Sequence, residues 1–354
     1  MIEIKEWGNS PSGEQILQYI MRNSLGTEVR LTNVGASICG VRFADRNGNF
    51  DEVALGYANG VDYIGDIATC GKTVGRVANR IKLGHLEVEG KTYQLEINNL
   101  ANHLHGGTNG YANLIWQSRI DGESVVFTLH SPDGDQNYPS AVDVEVRYSL
   151  SEENELIFTY DADSDGTTPF MLTNHAYWNL SGENSGDILD HELLLHASKA
   201  LVLTIDHIPT GEIIDIIDTP LDFTSWRRFG DDITAEYQMI NKKGGYGHFL
   251  PRDEWQKGEL KEIGILRDAK SGRAVRFLST QAGCMVYTGN KLSIDCPETI
   301  SGGRYADYAG IAIECQGYID AVNNPHFPSI MLHKGEHYHE KTIYQFITEK
   351  RTIY

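Results

Sequence analysis

In Val142-Asp143-Val144-Glu145-Val146-Arg147-Tyr148-Ser149-Leu150 the apolar residues occupy every second position without exception. Successive side chains leave a strand on opposite faces, so this pattern describes a half-buried antiparallel strand with one wet face. After the turn Ser151-Glu152-Glu153-Asn154, the run from Leu156 to Tyr160 reads as the return strand of a hairpin. Similar short runs occur at Val125 to Leu129, Leu193 to Ala197, Ala274 to Leu278 and Ile343 to Ile347. The 36 glycines punctuate them at close intervals, as a fold made of many strands requires. Helical periodicity is thin. Its best candidate is Asp232 to Ile240, where Ile233, Tyr237 and Ile240 share a face. No linker, repeat or change of composition divides the chain. The expectation is an all-β fold: a large antiparallel β-sandwich with few short helices, forming a single domain over residues 1–354.

A formal net charge of −19 argues against nucleic acid and anionic membranes as partners. The acidic residues are scattered, which reads as a solvated surface. The cysteines (Cys39, Cys70, Cys284, Cys296 and Cys315) are odd in number and widely spaced, suggesting neither a disulfide framework nor a zinc knuckle. The start lacks a basic region followed by an apolar run, and no window is long and apolar enough to span a bilayer. These features lead to the expectation of a cytoplasmic protein; a monomer or homodimer is expected, though nothing in the sequence chooses between them.

Four segments carry the chemistry. Thr173-Asn174-His175-Ala176-Tyr177-Trp178-Asn179-Leu180 sets an imidazole among amide, hydroxyl and aromatic groups. Aromatic faces make floors for sugar rings, and Asn and His supply directed hydrogen bonds. In Ile311-Ala312-Ile313-Glu314-Cys315-Gln316, alternation puts Glu314 on the polar face of an otherwise apolar strand. It is either a solvated surface group or the lining of a polar cleft, and the lack of an adjacent basic residue favours a cleft. In Gly71 to Arg80, the glycine spacing fits neither phosphate-binding loop. Arg76 and Arg80 read as surface charges, or else Asn79-Arg80 is a paired donor set for vicinal hydroxyls. His103-Leu104-His105 puts two imidazoles on one strand face, yet glycines follow where a metal-binding carboxylate would be needed. His333, His337 and His339 lie at loop-like spacings. The expectation is no metal.

Taken together and in order, these segments resemble the aldose 1-epimerases, or galactose mutarotases. Thr73 to Ile81 is similar to that family's arginine motif, Asn102 to Gly107 to its His-Gly-Gly motif, and Thr173 to Leu180 to its central histidine motif. Ile208 to Glu212, Ser271 to Arg273, Tyr287 to Asn290 and Glu314 through Pro328 to Glu336 match later landmarks. The resemblance implies a twisted galactose mutarotase-like supersandwich that binds a monosaccharide in an open cleft, without metal or organic cofactor. It implies Glu314 as base and His175 as acid, with Arg80 and His105 holding the sugar and Asn79 and Tyr177 as further contacts. Anomer exchange needs such a pair, because the C1 hydroxyl must lose a proton while the ring oxygen gains one.

Two positions depart from the family. Gly247 stands where an aspartate is usual, and Met285 where a glutamine is usual. Both usual residues contact sugar hydroxyls, so substrate identity is unsettled and selectivity among sugars should be flatter, unless Asp253 or His248 reaches the same hydroxyl. The competing readings are an epimerase for another sugar (a pentose, deoxy sugar or disaccharide) and a non-catalytic sugar-binding protein. A lectin needs no matched acid and base, which disfavours the second. A sugar-phosphate epimerase is disfavoured because the cleft segments offer Arg80 as their only clear anion partner.

Overall fold

The computed structural model describes residues 2–349. The strand Val142–Leu150 forms as its alternation demands: Val142, Val144, Val146 and Tyr148 are buried, and the residues between them are half-buried or exposed. It pairs with Glu155–Ser164 in unbroken antiparallel register, from Val142↔Ser164 to Leu150↔Leu156. This is the expected hairpin, and it lies inside a nine-stranded sheet. Ser124–Ser131 and Gln117–Asp121 flank it on one side. On the other come His337–Thr348, Arg273–Ser279, Lys261–Arg267, Glu192–Leu195 and Arg227–Arg228.

A four-stranded sheet of Tyr177–Trp178, Ile311–Gln316, Gly283–Tyr287 and Gly247–Pro251 packs against this large sheet. One hydrophobic cluster joins them, taking Val146, Phe158 and Tyr344 from the large sheet and Trp178, Ile313 and Cys315 from the smaller. Trp178 meets Tyr344 and Phe346 edge-on, with ring centroids 5.4 and 5.6 Å apart. Such aromatic pairs add roughly 0.5–1.5 kcal/mol beyond the area they bury. A five-stranded sheet, Glu3–Asn9 through Phe50–Glu52, contributes Val29, Leu31 and Val41 to the same core. The molecule is therefore an antiparallel β-sandwich.

The helix expected over Asp232 to Ile240 does not form. Two four-residue helices, Phe229–Asp232 and Ile240–Lys243, flank that stretch. Gln238 and Met239 adopt left-handed φ values of 43° and 70°, which no continuous helix tolerates. Ile240 is nonetheless fully buried, with Ile233 and Tyr237 packed against the same core. Turns present the apolar spacing that a helix would have presented.

The strand Ile311–Gln316 places the chemistry. Ile311, Ile313 and Cys315 enter the core, which puts Glu314 on the opposite face. All six residues are buried, so that face is roofed by loops and is not wet. No helix among the described residues is long and apolar enough to cross a membrane. The five cysteines are buried free thiols.

Candidate active site

Segments from several parts of the chain cover the polar face of Ile311–Gln316. Arg80–Ile81 pairs with His103–Leu104, with Leu104 opposite Arg80. The residues just outside this ladder, Asn79 and His105, are both left-handed, with φ of 62° and 53°. Asparagine and histidine tolerate that region better than most residues. The twist at His105 breaks the alternation expected for His103-Leu104-His105, so the two imidazoles do not share a face. His103 donates from Nδ1 to the Glu96 carbonyl (2.7 Å) and accepts the Tyr138 hydroxyl at Nε2 (2.8 Å). It is a satisfied core histidine. His105 accepts the Asn79 amide proton at Nδ1 (3.1 Å), which leaves its proton on Nε2 as a donor.

His175 is pinned through its backbone, donating to the Lys72 carbonyl (2.9 Å) and accepting from Gly71 N–H (2.9 Å). Tyr177 follows on a strand paired to Ile311–Gln316, opposite Ala312. Its hydroxyl donates to the Ala68 carbonyl (3.0 Å), so what it offers the cleft is its ring, 4.9 Å from that of His175.

Asn79, Arg80, His105, His175, Tyr177 and Glu314 all line one cleft of about 210 Å³. A larger cavity of about 390 Å³, walled by Phe170, Trp255, Tyr318 and Tyr338, contains none of them. Within the cleft, His175 Nε2 lies 3.5 Å from Glu314 Oε1. His175 Nδ1 and Glu314 Oε2 are buried and have no hydrogen-bond partner among the described residues. Burial pushes the Glu314 carboxyl up to about 8, with the Arg80 charge opposing. Burial likewise pulls the His175 imidazole down to about 4. Near neutral pH the pair therefore holds one proton, which rests on the carboxyl when only protein groups surround it. Arg80 is half fixed, with Nε and Nη2 donating to Asn99 Oδ1 (3.2 and 3.1 Å).

The two arginines of the early motif part company. Arg76 is no surface charge: it is 1% exposed and donates to the Pro139 and Ser140 carbonyls (2.8 and 2.9 Å) and to Ser131 Oγ (2.6 Å). Neither candidate for replacing the carboxylate at 247 lines the cleft. His248 spends both ring nitrogens on backbone, at Gln238 O (2.8 Å) and Gly247 N–H (3.1 Å). Asp253 caps Ser198 through its N–H and Oγ (3.1 and 2.8 Å). Sequence reasoning missed Asn99, His207, Lys243 and Lys291, all of which line the cleft. The basic pair Lys242-Lys243 beside the altered Gly-Tyr-Gly-His segment was the available signal.

His337 and His339 are on a strand, not at loop spacings. They project with Asp161 from the solvent face of the large sheet, their ligand atoms within 4.8 Å of one another. The opposite face of those strands carries Tyr160 and Ala162 into the core, so this cluster is separated from the cleft.

A family model described as aldose 1-epimerase matches residues 18–345. The chain belongs to the aldose 1-epimerase family. The galactose mutarotase of Sus scrofa is 35% identical over 342 residues, 96% of this chain and 97% of that one. The aldose 1-epimerase of Escherichia coli K12 is 32% identical over 347 residues, covering 96% and 98%. An aldose epimerase homologue from C. elegans superposes with a TM-score of 0.83 at 30% identity, over 93% of this chain and 98% of that chain. Galactose 1-epimerase from Lactobacillus acidophilus shares the fold, with a TM-score of 0.83 at 24% identity, over 98% and 99% of the two chains. The aldose 1-epimerases are isomerases acting on carbohydrates, and this chain is an enzyme of that kind.

Proposed function

We propose that the cleft binds the ring form of a free aldose and exchanges its anomers, with Glu314 and His175 as the proton-transfer pair. Both reacting oxygens are bonded to C1, so two groups 3.5 Å apart can each address one of them. In the forward sense, Glu314 carboxylate takes the C1 hydroxyl proton as the C1=O bond forms. The bond from C1 to the ring oxygen breaks, and His175 imidazolium protonates that oxygen. Rotation about C1–C2 presents the other face of the aldehyde. Closure then returns each proton to the group that lost it. The open-chain stage has a protonated carboxyl and a neutral imidazole, the state that burial already favours in the protein alone. The ring-bound stage needs the charged pair. Hydroxyls donating to Glu314, with the Arg80 charge, supply the stabilisation that draws the proton across to His175.

His105 donates from Nε2 to a sugar oxygen, Arg80 contributes the donors that Asn99 leaves free, Tyr177 supplies an apolar wall, and Asn79 orients His105. The observation that carries this reading is the buried acid–base pair, otherwise without hydrogen-bond partners among the described residues and facing a sugar-sized cleft. The names of the relatives make galactose the first sugar to test. Five buried free thiols support a reducing, cytoplasmic setting. The test is polarimetry on freshly dissolved single anomers. Wild type should speed the approach to equilibrium, and His175→Asn should lose at least about 10²-fold in kcat. Near-wild-type turnover by that variant would sink the assignment.

A further inference from the structure

Lys243 ends the short helix Ile240–Lys243 and lines the cleft. It is only 7% exposed, and its Nζ has no hydrogen-bond partner among the described residues. Burying an ammonium without a partner is costly, so such a group signals a missing anion. Burial first, and the like charge of Arg80 second, bring it down to about 8, which leaves it largely protonated at neutral pH. Lys291 stands exposed on the same lining. The cleft thus has three cationic side chains, Arg80, Lys243 and Lys291, and one carboxylate, Glu314. Arg80 also feels Asp206, which is half-buried nearby. A cationic cleft in a chain of net charge −19 is a local arrangement and does not follow from composition.

Gly247, where the resemblance puts a carboxylate, lies just behind His207 and Tyr287 of the same lining. A Cβ at Gly247 would meet the His207 ring at 3.5 Å and Tyr287 at 4.0 Å, both ordinary contacts, so a side chain could start there without a clash. His207 offers there a buried Nδ1 with no partner among the described residues. An aspartate at 247 would repel an anion, whereas glycine admits one.

We propose that the aldose recognised by this cleft carries an anionic substituent, a carboxylate or a phosphate, gripped by Lys243 with Arg80 and Lys291 in support. This rests on the mutarotase reading above and names its substrate class. It also reverses the sequence-based argument against charged sugars, which counted Arg80 alone. The anomeric hydroxyl must stay free for the ring to open, so the charge sits on a carbon other than C1. A uronic acid and a hexose 6-phosphate meet that condition. A sugar 1-phosphate does not.

The test measures anomer exchange by NMR magnetisation transfer in the wild type and in Lys243→Met. The matched pairs are galactose with galacturonate, glucose with glucuronate, and glucose with glucose 6-phosphate. The expected result is a kcat/KM at least about tenfold higher for one charged class than for its neutral partner, and a ratio at least about tenfold smaller in Lys243→Met. The carboxylate and phosphate arms decide between the two anions. Lys243→Arg, which keeps the charge, should preserve the preference if the methionine variant folds poorly. Calorimetric titration of the wild type with the same sugars should show the charged member binding more tightly. Equal or weaker binding of both charged classes, or a ratio indifferent to Lys243→Met, overturns the proposal. Exchange of neutral sugars alone overturns the charge proposal and leaves the mutarotase reading standing. Exchange of no aldose at all, charged or neutral, overturns that reading too.

Discussion

Glu314→Gln should slow turnover at least about 10²-fold and at the same time stabilise the fold, by an amount that grows with pH. The carboxyl is 2% exposed, and burial raises it from an ordinary 4.5 to about 8. Between those two values the unfolded chain has released the proton that the native protein still holds. Native protein then binds more protons, so stability falls as pH rises through the window and levels off above it. At ~1.4 kcal/mol per pH unit the full gap amounts to ~5 kcal/mol above pH 8, and the part reached at pH 7 to ~3 kcal/mol. Glutamine has nearly the same shape and nothing to ionise, so it removes this term. Neutral His175 acts in the opposite sense: being pulled down to about 4, it adds stability as pH rises towards 6.5. Both proteins share that contribution. Urea unfolding followed by tryptophan fluorescence at pH 5, 7 and 9 is the assay. The advantage of Glu314→Gln over wild type should widen by ~4 kcal/mol between pH 5 and 9, while kcat falls at least about 10²-fold. An advantage that does not change with pH would refute the burial argument, whatever happens to activity.

Three further outcomes are expected. Combining Glu314→Gln with His175→Asn should cost little more in kcat than either change alone, because both groups act on one transition state; additive losses in steady-state kinetics would separate their roles. Exhaustive EDTA treatment should leave mutarotation unchanged, since proton transfer at a hemiacetal needs no Lewis acid and Asp161, His337 and His339 project away from the cleft; a rate restored only by adding a divalent ion would contradict this. Arg76→Met should destabilise by several kcal/mol, of order 3–5, by orphaning the buried acceptors of its guanidinium, with normal KM for the molecules that fold; a KM effect without a stability effect would place Arg76 in the sugar site.

The parts of this protein that could be read from sequence were those governed by period. Strict alternation over Val142–Leu150 fixed a strand, its partner and its buried face, and alternation around Glu314 separated the cleft side from the core side. What sequence could not reveal was how loops land. His105 sits in the left-handed region, and nothing in His-Leu-His announces that the second ring turns away from the first. Arg76 and Arg80 are indistinguishable as letters, yet one is spent on backbone carbonyls while the other faces Glu314. Nothing in Lys242-Lys243 announces that the second lysine is buried, because the chain reaches that point through left-handed turns at Gln238 and Met239. The helix assigned to that segment followed apolar spacing that turns satisfy equally well.

The place of His337–Thr348 in the large sheet bears on how this protein is made. It lies between Glu155–Ser164 and Arg273–Ser279, in register with both, pairing Glu155 with Gln345 and Arg273 with Thr348. During synthesis, Glu155–Ser164 emerges well over a hundred residues before the strand it must pair with. Until then its edge shows unpaired amides and carbonyls, the surface on which nascent β-proteins associate wrongly. Asp161 and Asp163 lie on that waiting edge strand, and inward or flanking charge is a recognised guard against edge-to-edge pairing. The two halves of the sheet cannot become one cooperative unit before His337–Thr348 has emerged. Acquisition of the native state should therefore be slow and late, governed by a single closing strand and by loop closure over long separations.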